Sequence, residues 1–388
     1  MRFFTTILLV FLTSTIYSTV IPVDLRCDFW VNPQGIDVSK PVLSWTIKAS
    51  TGKRAMRQTA YELIVASSIE TLNSNKGDMW NSGKVPSDKM GQIEYNGKQL
   101  KSSQLYWWKI KVWDENGVES AWSEPAQWTM GLLNASDWEA KWISAIGSEK
   151  YAHQYKSAKS DFNLKHDLAE FRQFSPKAAD TNYSSMLLRK EFNAAPKLKR
   201  AVVHVSGLGQ YELFINGSKI GDYILAPGWS YYPKTVLYDT YNVTSQIKTG
   251  DNAIVLILGN SVYNIQPDSV RYVKFLGSYG PLKAIVQMRL EYEDGSAKTI
   301  GTDKSWQVAP GPITYSNFFG GEDFDARLMP KGWSQSSFKA DERWSTASEC
   351  NGPGGELKGL SYAASPIKGI ETLAPIKINK IKPNLWVY

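Results

Sequence analysis

The sequence contains few of the residues on which disulfide-rich domains and metal sites depend. Its 388 residues include two cysteines, Cys27 and Cys350, and three histidines, His153, His166 and His204. Two cysteines cannot form a disulfide framework, although a single bond between them stays open. None of the histidines has a cysteine or histidine ligand close by in sequence. We therefore predict no zinc site, and we expect each histidine to be a surface or packed residue.

Long apolar runs and blocks of one charge are also missing. The apolar stretch at residues 3–12 is shorter than the ~20 residues that a membrane-spanning helix needs. Lys and Arg number 44 against 37 Asp and Glu, and because they are scattered we predict no nucleic-acid partner. With 43% hydrophobic residues, the composition is that of a globular protein. At roughly 150 residues per domain, the length predicts two to three domains.

The first 20 residues predict export. Arg2 precedes the apolar stretch, and small polar residues follow it, which is the order of a secretory signal peptide over residues 1–20. Cys27 follows Arg26, and a charged residue at that position does not resemble a lipoprotein cleavage site. We therefore expect a soluble exported protein, either periplasmic or extracellular, without a membrane span.

Residues 23–133 predict a β-sandwich. Short apolar runs alternate with turn residues and show no helical periodicity, most clearly at residues 42–45, 61–66 and 106–113. In the last run Trp108, Ile110 and Val112 share one face, which we predict to be core. The opposite face carries Lys109 and Lys111 and is predicted to meet water.

Residues 134–183 predict a linker with an insertion. They are polar, they hold two of the three histidines, and helix is possible at residues 167–171. An irregular segment of this length is uncommon inside a compact domain, so it indicates a domain boundary.

Residues 184–330 predict a second β-sandwich, a jelly roll. About eight strands follow one another without helical pattern, among them residues 186–192, 200–206, 210–215, 235–239, 252–258, 282–292 and 306–308. Asn216 and Gly217 join two alternating runs, which is a strong hairpin signal.

These segments together resemble the N-terminal region of bacterial α-L-rhamnosidases of glycoside hydrolase family 78. The first domain resembles their fibronectin-III-like module through PVLSW, QTAYELIVA, MWNSGKV, LYWWKIKVWDENG and SAWSEPAQWTMGLL. The second resembles their galactose-binding-like jelly-roll domain through AVVHVSGLGQYELFINGSKIGD, LAPGWSYYPKTVLYDTYNVT, GDNAIVLILGN and FGGEDFDAR. The resemblance covers residues 23–327 and implies an all-β chain. It also implies that some such domains bind carbohydrate, in certain members with calcium.

The resemblance implies an accessory role. In the family, the catalytic carboxylates sit in a later helical (α/α)6 barrel, and residues 331–388 resemble a connecting tail and the start of a further β-domain. We therefore expect the N-terminal accessory part of a hydrolase acting on terminal α-L-rhamnose of plant or microbial glycans, inactive alone. One alternative is a stand-alone carbohydrate-binding or adhesion module. Another is an enzyme whose catalytic barrel is a separate chain.

One acidic cluster could imitate a catalytic pair. Asp323 and Asp325 alternate on a predicted strand, about 6.6 Å apart, near the lower bound for an inverting glycosidase, with Glu322 beside them. The simpler interpretation pairs Asp325 with Arg327 and leaves Glu322 solvated. We predict no catalytic residue in the chain.

A loop of the second domain is the predicted carbohydrate site. Neutral sugars bind aromatic platforms beside polar side chains, and the loop combines both, in Asp222, Tyr223, Trp229 and Tyr232, with Tyr231 among them. The alternative is that Trp229 packs under the sandwich and Asp222 ends a turn. Asp222, Asp239 and Asp251 are too dispersed to predict calcium, and no other metal or cofactor is predicted. The expected partner is a rhamnose-containing oligo- or polysaccharide.

The tail after Lys368 contains strand-forming residues without an obvious sheet. Ile376, Ile378 and Ile381 alternate imperfectly with lysines, and Pro383 cannot donate to a ladder. We predict that the tail is disordered or adds an edge strand to the jelly roll, with Trp386 exposed.

Overall fold

The computed structural model describes residues 20–49, 54–145, 185–265, 271–272, 277–362, 365–383 and 385–387. The predicted signal peptide lies outside the described residues apart from Val20. So do residues 146–184, which include most of the predicted linker and its possible helix. The chain divides into two compact units, Met1–Met130 and Gly131–Tyr388.

The described part of the first unit consists of strands and one short helix. Its described elements are β1 (Val20–Cys27), β2 (Gln34–Ile36), β3 (Val42–Ala49), β4 (Gln58–Ala66), α1 (Ile69–Asn73), β5 (Trp80–Asn81), β6 (Val85–Pro86), β7 (Ile93–Glu94), β8 (Leu105–Asp114) and β9 (Ala126–Met130). One sheet has the order β1-β3-β7, and the other has the order β2-β9-β8-β4-β5, with β6 also paired to β4.

Aromatic side chains fill the space between these two sheets. On β3, Trp45 donates a 2.9 Å hydrogen bond from Nε1 to Oε1 of Gln58 on β4, and its ring lies 5.2 Å from that of Tyr61. Trp108 and Trp128 are fully buried. The predicted core face of β8 is confirmed, since Ile110 and Val112 are buried with Trp108. Burial of such apolar surface is the main driving force for this sandwich.

The opposite face of β8 differs from the prediction. Lys109 is 6% exposed, and its Nζ contacts Oδ1 of Asn75 and lies 5.2 Å from the ring of Trp122. The segment that follows α1 and the ring of Trp122 cover this lysine, and burial lowers the pKa of its ammonium group. Alternation along the strand predicted the direction of the side chain but not this cover.

The second unit is also made of strands, with single turns of 3₁₀ helix at Ala135–Asp137, Thr244–Gln246, Ala326–Leu328 and Leu360–Tyr362. Its described strands begin with β10 (Trp142–Ser144), β11 (Ser185–Ala194), β12 (Leu198–Leu208), β13 (Gln210–Ile215), β14 (Ser218–Ile220), β15 (Tyr223–Ile224), β16 (Thr235–Leu237), β17 (Asp239–Asn242), β18 (Gly250–Gly259), β19 (Asn264–Ile265) and β20 (Gly277–Ser278). The remaining strands are β21 (Lys283–Tyr292), β22 (Ala297–Gly301), β23 (Gln307–Pro310), β24 (Ile313–Asn317), β25 (Gly321–Phe324), β26 (Ser345–Thr346), β27 (Ser348–Cys350), β28 (Glu356–Lys358), β29 (Ile367–Lys368), β30 (Asn379–Lys382) and β31 (Leu385–Val387). No described helix is long and apolar enough to cross a membrane.

Two six-stranded sheets enclose the core of the second unit. One has the order β17-β12-β21-β10-β27 with β22 beside β21, and the other has the order β14-β13-β18-β11-β23-β26. A single buried apolar cluster includes Val203 and Val286 from the first sheet and Leu188 and Leu256 from the second. The all-β prediction is confirmed.

The hairpin between β13 and β14 forms at the predicted turn. Asn216 and Gly217 both have positive φ, of 50° and 86°, and Ile215 pairs with Ser218. Such a two-residue turn requires positive φ at both positions, which asparagine and glycine tolerate best.

The predicted jelly-roll domain, residues 184–330, is shorter at both ends than the set of residues that form its two sheets. Strand β10, inside the predicted linker, pairs with β21 and β27. Strands β26 and β27, beyond the predicted end at residue 330, extend one sheet each. These strands have two or three residues, too few for the alternation by which strands are recognised in sequence.

The tail forms local strand pairs. β29 pairs antiparallel with β15, and β30 pairs with β31 as a hairpin of its own. The predictions of disorder or of an extra edge strand after Lys368 therefore missed this hairpin. Ile376 and Ile381 are exposed, whereas the side chain of Trp386 lies outside the described residues.

Candidate carbohydrate-binding site

The predicted site lies on the segment between β14 and β16. Gly221 has a φ of 77°, and a Cβ at this position would come within 2.4 Å of Cε1 of Tyr241, so the turn requires glycine. The segment then pairs through β15 with β29. Its next turn is anchored where the backbone N–H of Tyr211 donates to the carbonyl of Ala226 at 2.7 Å.

Asp222 and Tyr223 both contact Lys368 of β29. The lysine Nζ lies 3.0 Å from Oδ2 of Asp222 and 5.0 Å from the centre of the Tyr223 ring. The ring of Tyr241 also lies next to it, at 5.5 Å between ring centres. Burial, with the nearby Asp239 and Asp222 carboxylates, raises the pKa of Tyr223 to about 12. These two predicted residues therefore help to hold β29 against the loop.

Tyr232 lies in the core. It is 4% exposed, and its ring packs edge-on against Tyr263 at 5.0 Å and Tyr279 at 5.2 Å. A sugar needs an open ring face, and Tyr232 offers none. The sequence placed it among the site residues because the loop is rich in aromatics, and only three-dimensional packing distinguishes a core tyrosine from an exposed one.

Trp229 and Tyr231 are the exposed aromatics of this loop. Trp229 is 69% exposed and Tyr231 is 48% exposed, so the alternative in which Trp229 packs under the sandwich is wrong. The turn behind them is fixed by hydrogen bonds from the backbone N–H groups of Lys234 and Thr235 to the carbonyl of Tyr231. Because Ile224 and Leu225 are also about half exposed, the loop presents an apolar surface that suits the C–H face of a sugar ring.

A polar group that sequence analysis missed lies beneath the loop. The Tyr211 hydroxyl donates a 2.7 Å hydrogen bond to Oδ2 of Asp239. The Tyr241 hydroxyl lies 3.2 Å from the Tyr211 hydroxyl. Burial raises the pKa of Asp239 to about 6, although the bond from Tyr211 favours the charged form. Tyr211 and Asp239 are on strands of different sheets, so no local sequence signal joins them.

The acidic cluster of Asp323 on β25 and Asp325 just after it does not have the electrostatics of a glycosidase pair. Arg271 Nη2 lies 2.7 Å from Oδ2 of Asp323, and Arg327 Nη2 lies 2.7 Å from Oδ2 of Asp325. Hydrogen bonds from Arg327 lower the pKa of Asp325 to about 2. A general acid needs a raised pKa to hold its proton at neutral pH, so Asp325 is poorly suited to protonate a leaving group.

The acidic residues weighed for calcium do not converge either. Asp222 pairs with Lys368, Asp239 accepts from Tyr211, and Asp251 Oδ1 accepts from Nδ2 of Asn193 at 3.2 Å. Calcium needs six to eight oxygen ligands around one point. Among the described residues no group of three acidic, cysteine or histidine side chains could hold a metal ion.

Comparison with known proteins identifies both units. The profile of the Rha78A-like N-terminal immunoglobulin domain matches residues 22–134, and that of the α-L-rhamnosidase N-terminal domain matches residues 196–371. The chain carries the two N-terminal domains of the α-L-rhamnosidase family. An α-L-rhamnosidase of Formosa agariphila is 35% identical over 92% of this chain, which corresponds to 36% of that protein. The chain thus spans about a third of the length of the curated rhamnosidases that it matches.

Solved rhamnosidases share the fold. An α-L-rhamnosidase from Dictyoglumus thermophilum superposes with a TM-score of 0.76 and 37% identity, over 96% of this chain and 38% of that one. The Streptomyces avermitilis α-L-rhamnosidase, solved with L-rhamnose, gives a TM-score of 0.78 over 95% of this chain and 48% of that one. At 23% identity the second comparison concerns the fold alone. In the described part of our chain there is no helical barrel.

Proposed function

We propose that these residues form the N-terminal accessory part of an α-L-rhamnosidase-type hydrolase acting on terminal α-L-rhamnose, and that they do not hydrolyse rhamnosides alone. The observation that carries this proposal is the match of 92% of the chain to only 36% of an α-L-rhamnosidase. The arginine-paired carboxylates of Asp323 and Asp325 support it, because hydrolysis needs one carboxylic acid and one carboxylate around the scissile bond.

A colorimetric assay tests the absence of catalysis. The purified chain is incubated with p-nitrophenyl α-L-rhamnoside. We expect nitrophenol to be released no faster than in buffer without protein. Asp325→Asn is the control for the one acidic cluster weighed above. Turnover that disappears in this variant would overturn the proposal.

We propose further that the exposed end of the loop contacts the glycan. The support is the exposure of Trp229 and Tyr231, since aromatic platforms are a common means of binding neutral sugars. Asp222 and Tyr223 precede these two rings in the loop and contact Lys368, and Tyr232 is left out because it is buried.

Calorimetry with a matched control tests the contact. Titration of a rhamnose-containing oligosaccharide should give saturable heat, and Trp229→Ala should weaken binding about tenfold or more. Tyr272→Ala is the control, because Tyr272 has the same 69% exposure elsewhere on the second unit. An equal effect of both substitutions, or none of Trp229→Ala, would refute the contact.

Export is part of the proposal and rests on residues 1–20 alone. Mass spectrometry of protein recovered outside the cytoplasm should show a chain that has lost these residues, and an intact Met1 would contradict it. A catalytic barrel on a separate chain is a different arrangement, which co-purification would reveal. Strong glycan binding by a chain that associates with no hydrolase would favour a stand-alone binding or adhesion module.

A further inference from the structure

A cleft with a basic lining lies on the second unit, and its lining shares no residue with the loop. It has a volume of about 370 Å³, and we call it the basic cleft, lined by Arg189, Lys190, Ser305, Gln307, Phe338 and Lys339. Binding sites for small ligands begin at roughly 300 Å³, so there is room for a group of monosaccharide size. Among the described residues of the lining, Glu191 is the only carboxylate, against three cationic side chains.

Arg189 is buried with unused hydrogen-bonding capacity. Its residue is 3% exposed, and both of its hydrogen bonds to described residues leave from Nη2, to Oε1 of Glu191 at 2.9 Å and to the carbonyl of Gln335 at 2.8 Å. Nε has no acceptor among the described residues. A buried guanidinium with donors left over is costly unless an anion compensates it, and its single carboxylate partner is half exposed. An anion in the cleft would supply that compensation.

The segment after β25 holds this arginine in place. Phe338 lies 5.0 Å from the Arg189 Cζ, and it packs edge-on against Trp344 at 5.5 Å. Trp344 belongs to the buried cluster on the outer face of the sheet that contains β11. The guanidinium is therefore fixed before a ligand arrives, which lowers the entropy cost of binding.

Two lysines extend the positive charge to the mouth of the cleft. Lys190 contacts the Ser305 hydroxyl through its Nζ, and it lies 4.0 Å from Asp303. Lys339 is exposed and forms no ion pair with any described residue. The arginine fork binds an anion in a fixed geometry, and the lysine adds a point charge on a flexible stem.

We propose that the basic cleft binds the negatively charged substituent, a carboxylate or a sulfate, of an acidic saccharide. The anion accepts hydrogen bonds from Arg189 and meets Lys339 at the rim, while the apolar edge of Phe338 faces the sugar ring. The choice of a saccharide over another anion rests on the proposed function, whereas the anion site itself does not. The glycan contacted by this chain is then acidic as well as rhamnose-containing.

A pair of glycans that differ only in charge tests the proposal. The probes are a rhamnose-containing oligosaccharide that carries uronic acid and the same oligosaccharide with its carboxyl groups reduced to alcohols. Calorimetry at low salt should show the acidic form binding about tenfold tighter or more, with the difference shrinking as salt is added. Equal affinities of the two forms would overturn the proposal.

Two substitutions locate the binding. Lys339→Gln lies on the surface and should weaken the acidic glycan about threefold to fivefold, and Arg189→Lys, which keeps the charge but loses the fork, about tenfold. Lys331→Gln is the control, because Lys331 is exposed nearby on the same segment but outside the cleft. Equal losses from Lys331→Gln and Lys339→Gln would mean general attraction of charge, and would also overturn the proposal.

Two competition arms separate the sources of the anion. A sulfated oligosaccharide that competes as well as the uronate supports a site for either group. Inorganic sulfate that competes at the same concentration as the glycan would show that no sugar ring is recognised. That result would overturn the proposal that the ligand is a saccharide. If the neutral glycan binds through Trp229 and the acidic form binds no tighter, the proposed anion site in the basic cleft is overturned. The proposed function is then unaffected.

Discussion

The Tyr211 hydroxyl donates a hydrogen bond of 2.7 Å to the Asp239 carboxylate, beneath the loop that carries Trp229. Burial raises the pKa of this carboxyl to about 6. In the unfolded chain an aspartate has a pKa near 3.9, so the native state holds the proton over a range of pH where the unfolded state has lost it. The pair therefore makes stability depend on pH.

We predict that Asp239→Asn removes this dependence. Between about pH 4 and pH 6 the native state binds more protons than the unfolded state, so the contribution of Asp239 to stability falls as pH rises. The asparagine keeps an acceptor for Tyr211 and does not ionise. Relative to the wild type, the variant should gain up to about 3 kcal/mol in free energy of unfolding from pH 4 to pH 7. Urea denaturation of both proteins measures the difference, and a constant difference would refute the assignment.

His204 should act in the opposite direction. It is fully buried, its Nδ1 lies 2.9 Å from the Thr240 hydroxyl, and burial lowers its pKa to about 3. The unfolded chain gains a proton near pH 6.5 that the native state refuses, so stability is lost as pH falls below that value. Between pH 7 and pH 4 we expect the free energy of unfolding to fall by about 3 kcal/mol less in His204→Gln than in the wild type. Urea denaturation at the two pH values measures this, and an equal change in the free energy of unfolding for both proteins would contradict it.

The two sandwiches were predictable from sequence because their longest strands carry local signals. Strand β8 alternates, and Asn216 with Gly217 closes a hairpin whose strands pair in the expected register. The short strands β10, β26 and β27 were missed, because two or three residues show no period and are held only by the neighbours that they join.

The candidate site was less predictable than the fold. Its loop could be located from aromatic content, but whether a ring is exposed depends on residues distant in sequence. Tyr232 is buried by Tyr263 and Tyr279, while Trp229 three residues earlier is exposed. The basic cleft could not be predicted from the sequence, because its lining residues come from three separate segments of the chain.

Cys27 should resist alkylation in the native protein. Neither it nor Cys350 forms a disulfide, but Cys27 is 1% exposed and burial raises the pKa of its thiol, whereas Cys350 is partly exposed. Because the thiolate is the reactive species, iodoacetamide should modify Cys27 at least about tenfold more slowly than Cys350. In urea the two rates should converge. Peptide mass spectrometry measures both, and equal rates in the native state would contradict the burial of Cys27.

The tail should be cut by trypsin before either sandwich. Ile370, Leu373 and Ile376 are fully or largely exposed, and Lys377 follows them outside any strand. We expect rapid cleavage after Lys377, lost in Lys377→Gln, with the strand Gly250–Gly259 intact. Protection of the two regions to the same degree would show that the tail is packed.

One nuclear magnetic resonance experiment, with the full chain and a rhamnose-capped oligosaccharide, tests glycan binding and the absence of hydrolysis together. Saturation of the protein signals and the spectrum of the sugar report binding and hydrolysis in the same tube. We predict saturation transfer to the rhamnose protons that Trp229→Ala strongly reduces, with no free rhamnose after prolonged incubation. Accumulation of free rhamnose that stops in Asp325→Asn would contradict the central claim that these domains accompany catalysis without performing it.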